Sequence, residues 1–476
     1  MAETRFRPRV LVAALAGSLF LSASVLNVQA RPDTPFAGPA PFASQFSIQP
    51  AIISGKENTS AIVQNRGASN AAIAMDVYTE GGLLVPAAGQ VKTGVPVGGS
   101  RNFAQGSNAG LSTNFRGVGV ISSDQPFNAL LVRDIKDSNG QKSYSIVSPN
   151  SAGSTKVALP FLMNNRYGRH TRFTLANAGS SVACVSIEYS FPPAAAKEPV
   201  VAVGPGGDGC AAGLYPVPVQ GQVSFAPNTI DGAIAMPLET ATELMAATIT
   251  SVNDVPITAS VDAYNSGGDN GRNLGSYDGF RVAVPESATD DVGLEIALPI
   301  VLKSSSGWFS QALLSNPGAA DADVTITYTG NVSGTPLDPI VDQFIIPAGG
   351  MQSASVYALS EIPVGFVGSA TVTSTQPLAA VLFRVKQTTA GSGDYQHPYA
   401  AASGLPLDRA TTTVRLPLIF RHALRPSPVS SKYGYNSWFS VIVADGSLAD
   451  VTINALNDPT SACAGSYTST LNTTVT

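Results

Sequence analysis

Residues 296–328 read IALPIVLKSSSGWFSQALLSNPGAADADVTITY, and after a loop residues 346–385 read IPAGGMQSASVYALSEIPVGFVGSATVTSTQPLAAVLFRV. Short runs rich in Val, Ile, Thr and Ala are punctuated by Asn316-Pro317-Gly318, Pro347-Ala348-Gly349-Gly350 and Gln376-Pro377. Branched residues suit a pleated surface, while Asn, Pro and Gly supply turn geometry. The stretch therefore predicts successive β-strands joined by tight turns.

The same pattern recurs along the chain. Residues 114–133 (NFRGVGVISSDQPFNALLVR) lie over residues 365–384 (GFVGSATVTSTQPLAAVLFR) without a gap. Phe115, Gly117, Ser123, Gln125, Pro126, Ala129, Leu131 and Arg133 meet identical residues at Phe366, Gly368, Ser374, Gln376, Pro377, Ala380, Leu382 and Arg384. Residues 245–264 (MAATITSVNDVPITASVDAY) are a weaker copy, with Pro256 as the turn proline. The opening of the unit recurs around Pro50, Pro160, Pro299 and Pro417, each followed by a polar loop, a strand and a turn. Those turns contain Asn65, Asn177, Asn316 and Asp445-Gly446, where Asn is read as a turn residue that tolerates left-handed geometry. Repeat spacing of roughly 110–140 residues means one small domain per copy rather than a solenoid.

Composition agrees. The chain has 476 residues, of which 44% are hydrophobic and only 12% charged, which argues against disorder. Its 45 Gly and 34 Pro suit a turn-rich all-β protein better than a helical bundle or an α/β enzyme. The expected fold class is all-β, with tandem immunoglobulin-like β-sandwich domains in a row. A formal net charge of −5 without a basic cluster points away from nucleic acid and anionic membranes as partners.

In chain order, Arg5, Arg7 and Arg9 precede an apolar run from Val10 to about Leu26, and Val28-Gln29-Ala30 offers small residues for cleavage. Residues 1–30 thus read as a secretory signal peptide cut near Ala30, with a retained anchor as the other reading. No later apolar run is long enough to span a bilayer, so no membrane insertion is expected after its removal. Residues 31–42 form a Pro-rich spacer. Sandwich repeats follow over 43–150, 151–279, 280–409 and 410–476. The last lacks a second half when laid on the third. A truncated reading frame at Thr476 is the simpler account, and partner strands from another molecule are the other.

Three cysteines are present. Cys184 and Cys210 flank a Pro/Gly-rich insertion in the second repeat, and an exported chain would join them in a disulfide; two unpaired thiols are the alternative. Cys463 lies in the incomplete repeat and its partner is open.

Little in the sequence suggests chemistry. His170, His397 and His422 are read as loop residues, without the paired spacing of a zinc site. Residues 204–209 (GPGGDG) lead into no helix, so they make no phosphate loop. Residues 137–140 (DSNG) read as a plain turn, since the further acidic ligands of a calcium loop are lacking. Asp76, Glu188 and Asp262 could supply paired carboxylates for glycoside chemistry, but one acid per repeat on an outward face is ordinary for a solvated sheet. No catalytic residue, metal or cofactor is expected.

Trp308 and Trp438 occupy matching places in the third and fourth repeats, where the second has Thr171-Arg172-Phe173. They are either glycan-stacking platforms or rings that enter a core or a domain joint, and the core or joint role is favoured.

The connector Tyr277-Asp278-Gly279, followed by Leu298-Pro299, Gly307-Trp308, Asn316-Pro317-Gly318, residues 324–328 (VTITY), Pro347-Ala348-Gly349-Gly350, residues 365–370 (GFVGSA) and residues 376–380 (QPLAA), resembles tandem repeats of secreted surface proteins from filamentous Chloroflexus-type bacteria. The third repeat matches best, and the second departs most. The resemblance implies an immunoglobulin-like surface module and carries no catalytic residues over. The resulting expectation is a secreted, non-catalytic structural or adhesive protein of the cell surface. Self-association, neighbouring surface proteins or glycans are its expected partners. The alternative is a carbohydrate-binding accessory module of a longer secreted hydrolase.

Overall fold

The computed structural model describes residues 10–14, 42–48, 56–136, 142–148, 153–166, 169–227, 233–236, 243–265, 274–282, 291–386, 399–414, 439–444, 449–456 and 466–473. Within them the chain is a tandem series of β-sandwiches. Three repeats share eight strand positions, here lettered a to h.

In the third unit these are a Gly293–Ser305, b Trp308–Ser315, c Ala322–Val332, d Ile340–Ile346 and e Met351–Ser355; f and g are the two halves of one strand, Phe366–Lys386, and h is Tyr399–Ser403. The second unit has a Lys156–Asn164, b Arg169–Asn177, c Ala183–Ser190, d Tyr215–Val217, e Gln222–Ala226, f Glu243–Ser251, g Ile257–Asn265 and h Leu274–Asp278. The first has a Phe42–Ile48, b Lys56–Asn65, c Ala71–Thr79, d Gln90–Val95, e Ser100–Ala104, f Gly117–Ser123, g Phe127–Lys136 and h Lys142–Val147. In the first and second units one sheet runs a-f-c-d and the facing sheet e-b-g-h, and in the third the same two layers are joined into one nine-stranded sheet through the f–g strand and the a–b hairpin. Strands a and b belong to different layers, so the likeness to immunoglobulin domains is one of architecture and not of strand order.

The sequence motifs have direct structural causes. Proline cannot donate to a ladder and settles at bulges. At Leu159-Pro160 and Leu298-Pro299 the pairing of strand a with strand f accordingly shifts register, and Ile300 takes a φ of 65°. In the Phe-x-Gly motif the ring lies across the glycine. A Cβ added to Gly368 would come within 2.7 Å of the Phe366 ring, and one on Gly117 within 2.8 Å of the Phe115 ring. At the Gln-Pro turns, Ser123 Oγ accepts from the Gln125 amide and Ser374 Oγ from that of Gln376.

Strand c of the third unit shows the expected alternation, with Val324, Ile326 and Tyr328 turned into the core. Each unit buries its own cluster: Val63, Phe103 and Ile121 in the first, Phe173, Ile187 and Ile249 in the second, Ile326, Phe366 and Leu382 in the third.

Of the fourth repeat, Ala449–Leu456 pairs with Ser466–Thr473, and Phe439–Val443 pairs antiparallel with Val10–Ala14. Pro50, Pro417, Asp445, Cys463, His397, His422, Trp438 and the 137–140 turn lie outside the described residues.

The insertion in the second unit is a small hairpin. Gly207 and Cys210 exchange backbone hydrogen bonds across Asp208 and Gly209, both left-handed at φ 50° and 87°. That is the two-residue turn whose twist suits paired strands. Cys210 is joined to buried Cys184 by a disulfide spanning a sequence separation of 26. Replacing both cysteines with alanine is expected to cost about 3 kcal/mol through the freed unfolded chain, read as a lower denaturant midpoint for the second unit.

Candidate functional site at the joints between units

The Asn-x-Gly turns are more than turns. Asn65, Asn177 and Asn316 are fully buried, and none has a positive φ. The left-handed role expected for them is thereby corrected: the side chain, not the backbone, is what the fold uses. Each Oδ1 accepts from the amide two residues on, at Gly67, Gly179 and Gly318. Each Nδ2 donates to the carbonyl four residues on and to a carbonyl in or at the end of strand d, namely Val95, Val217 or Ile346. The three backbone amides donate to Gly99, Gly221 and Gly350 in the turn between d and e. One asparagine, through its side chain and its own amide, thus ties the ends of b, c, d and e together in each of these three units. At Gly67 crowding opposes any side chain, since an added Cβ would lie 2.8 Å from Gln125 Cβ.

The joint between the first and second units centres on Asp262, which is 2% exposed. Its carboxylate pairs with Arg133 of the first unit and with Arg172 of its own, at 3.4 Å, and accepts from Ser276 Oγ at 2.8 Å. Burial alone would raise this carboxyl, but Arg133, then Arg172, then the hydrogen bonds from Arg133 and Ser276 hold it below the usual range. The expected outward, solvated carboxylates are corrected here. Asp262 and Asp76 face outward from their sheets but are buried, because a neighbouring unit covers the face; Glu188 is the exposed one. Nearby, Tyr78, Val118 and Val120 pack on Ala176 of the second unit. Burial, followed by the charge of Asp76, pushes the Tyr78 hydroxyl up to about 12. The Gln222 amide donates to Glu80 O at 2.9 Å. Gly82 has a φ of 81°, and a Cβ there would lie 1.9 Å from Val219 O.

The next joint is apolar. Leu313, Met351, Ala379, Val381 and Phe383, on the outer face of the third unit's second sheet, belong to the same buried cluster as the core of the second unit. Phe161 and Phe383 pack as tilted rings with centres 4.7 Å apart, Arg169 lies 6.0 Å from the Phe383 ring centre, and Lys156 Nζ donates to Pro317 O at 2.6 Å. The Asp291 carboxylate accepts from the Arg281 amide, Nε and Nη2 and takes a fourth hydrogen bond from Arg409.

His170 is corrected from loop to strand b, where it is buried beside Tyr264. Its Nδ1 accepts from the Asn165 amide, and burial lowers its pKa. Counting back from the Asn hubs aligns Trp308-Phe309-Ser310 with Arg169-His170-Thr171, two residues earlier than the sequence alignment places them. The hydroxyls confirm this register, because Ser310 Oγ accepts from the Leu302 amide and Thr171 Oγ1 from that of Met163. Trp308 is half-buried at the a–b hairpin, and next to it Phe309 lies edge-on to the exposed Tyr357 at 5.3 Å.

Among the described residues no cluster of His, Cys, Asp or Glu could hold a metal ion, and no helix is long and apolar enough to cross a membrane. No family model matches the chain, and no curated protein does. Among solved structures the chain is similar to Thermotoga maritima 1070, at 17% identity over 24% of this chain and 94% of that one, with a TM-score of 0.20. It is also similar to a tetra-tandem repeat in the extending region of a large adhesion protein, at 12% identity over 76% and 74% with a TM-score of 0.11. A Ca2+-stabilized adhesin that helps an Antarctic bacterium bind ice is comparable, at 12% identity over 77% and 73% with a TM-score of 0.11.

Proposed function

We propose that the chain is an exported, non-catalytic structural or adhesive protein of the cell surface, in which successive sandwiches act as a stiff spacer. The observation that carries this reading is the apolar cluster shared between the second and third units. Domains joined by small polar contacts move relative to one another, whereas a shared apolar core fixes their orientation. The buried Asp262 pairing does the same for the first joint with a directional, charge-matched contact. The resemblance to Chloroflexus-type surface repeats belongs to the same proposal. Glycan binding is the second reading, supported by Trp308, Phe309 and Tyr357 at one end of the third unit.

Small-angle scattering of the full chain, combined with antibody labelling of intact cells, tests the main reading. A single maximum dimension that is unchanged from low to high salt, on a protein labelled at the surface, is the expected outcome. A scattering profile of independently moving beads, or a protein confined to the cell interior, would refute it. Binding to a glycan array that is lost on Trp308→Ala would instead favour the second reading.

A further inference from the structure

Every unit ends its first sheet at strand d, and the three d strands differ in how their free edge is treated. An exposed edge is a template for another strand, and proteins usually blunt it with short strands, bulges, proline or lysine. In the first unit, d carries Lys92, the partner strand shifts register between Ala71 and Ile73, and Gly94 is left-handed at φ 63°. In the second, the edge is broken into the two-residue strand Val200–Val201 and the three-residue strand Tyr215–Val217, which contains Pro216, and the Cys184–Cys210 disulfide pins the loop between these two strands. In the third, d is seven residues long and pairs with c in unbroken register from Ile340 to Ile346. Among the described residues nothing pairs with its outer side. Val341 and Ile345 stand on its outer face at 54% and 58% exposure.

We propose that this edge, Ile340–Ile346, pairs antiparallel with the same strand of a second copy, joining two sandwiches into one continuous sheet about a two-fold axis through Gln343. The strand is complementary to itself in that register. Gln343 meets Gln343, where two amides can hydrogen-bond. Val341 meets Ile345 on the outer face, and Ile345 meets Val341. The strand's single charge, Asp342, meets Phe344 and not another Asp342. Moving the axis by one residue to Asp342 would oppose two carboxylates, which cross-strand pairing disfavours. A second copy fits better than an unrelated strand, because the pattern reads the same from both ends and two-fold contacts require that symmetry. The inference deepens the structural reading above by naming how copies would join.

The test is sedimentation velocity of the full chain over a range of concentrations, beside two variants. The parent is expected to dimerise. Val341→Lys with Ile345→Lys opposes like charges on both outer rungs and is expected to weaken dimerisation by about tenfold or more. Gln343→Cys places two thiols on the axis, where directly opposed residues have Cα atoms about 4.5–5.5 Å apart, within disulfide reach. It is expected to give a covalent dimer on mild oxidation beyond that of the parent. Ile345→Cys, with its copies about 14 Å apart along the strands, is expected to give none. A parent that stays monomeric, a double lysine variant that dimerises like the parent, or equal crosslinking of the two cysteine variants would overturn the pairing. Surface labelling tests the structural reading separately, so a monomer found at the cell surface would sink the pairing alone.

Discussion

Asp262→Asn is expected to destabilise the joined first and second units by about 3–5 kcal/mol, the usual cost of removing one partner from a buried ion pair. The substitution leaves the guanidinium groups of Arg133 and Arg172 facing a neutral amide in a site from which water is excluded. Chemical denaturation followed by tryptophan-independent circular dichroism would show the loss as an earlier first transition. Replacing Asp262 and both arginines together with apolar residues of similar size is expected to recover much of it, because the desolvation cost disappears with the charges.

The same carboxylate sets a pH dependence. Its folded pKa lies below the unfolded value, so its stabilisation is fully present above the ordinary carboxylate range and is lost as pH falls through the folded value. Asp278 acts in the opposite sense. Burial, then Asp291 and Asp262, hold its pKa up, so it favours folding on the acid side. The difference between parent and Asp262→Asn stability across pH isolates the Asp262 contribution: it should be large at neutral pH and shrink below about pH 4. A difference that is flat with pH would show that Asp262 is not charged in the joint.

Asn316→Ala is expected to cost the third unit about 3–5 kcal/mol, since each buried backbone group left without a partner costs about 1–3 kcal/mol. Four backbone groups, in buried or part-buried contacts, depend on this side chain: the Gly318 amide and the carbonyls of Ala320, Ile346 and Pro347. Asn316→Asp separates a hub from a mere turn former. Aspartate makes the same local turn and would be nearly neutral if that were the residue's task. In a hub it keeps the acceptor for Gly318 but turns a carboxylate on three carbonyls, so a loss at least as large as for alanine is expected. A near-neutral Asn316→Asp in urea unfolding would return the residue to the rank of a turn former.

The contrast between these residues explains what was legible in the sequence. Period-two alternation and the turn residues gave away the strands and the repeat, because both are local properties of the backbone. The disulfide partners were legible from compartment and loop position. The Asn hubs were visible only as turns, since nothing local tells that residues 30 positions away in strand d converge on the same amide. Alternation also said that Asp262 faces outward, but not that another unit covers that face. Its partner had left a trace, for Arg133 is a charged residue inside the apolar run LLVRDI and recurs as Arg384. The two-residue slip at Trp308 arose from residue identity and not from length, because Pro160 to Asn177 and Pro299 to Asn316 span the same number of residues while Trp308-Phe309-Ser310 shares no residue type with Arg169-His170-Thr171.

In the third unit strands f and g are one uninterrupted strand, Phe366–Lys386, whose first half pairs with strand a and whose second half pairs with strand h, both antiparallel to it. The polypeptide enters through a and leaves through h, so these two run in the same direction on either part of a shared backbone. Gly293 at the start of a faces Leu378 and Ser403 at the end of h faces Val381, so a load that enters by a and leaves by h is handed across by one covalent strand, between neighbouring positions on it.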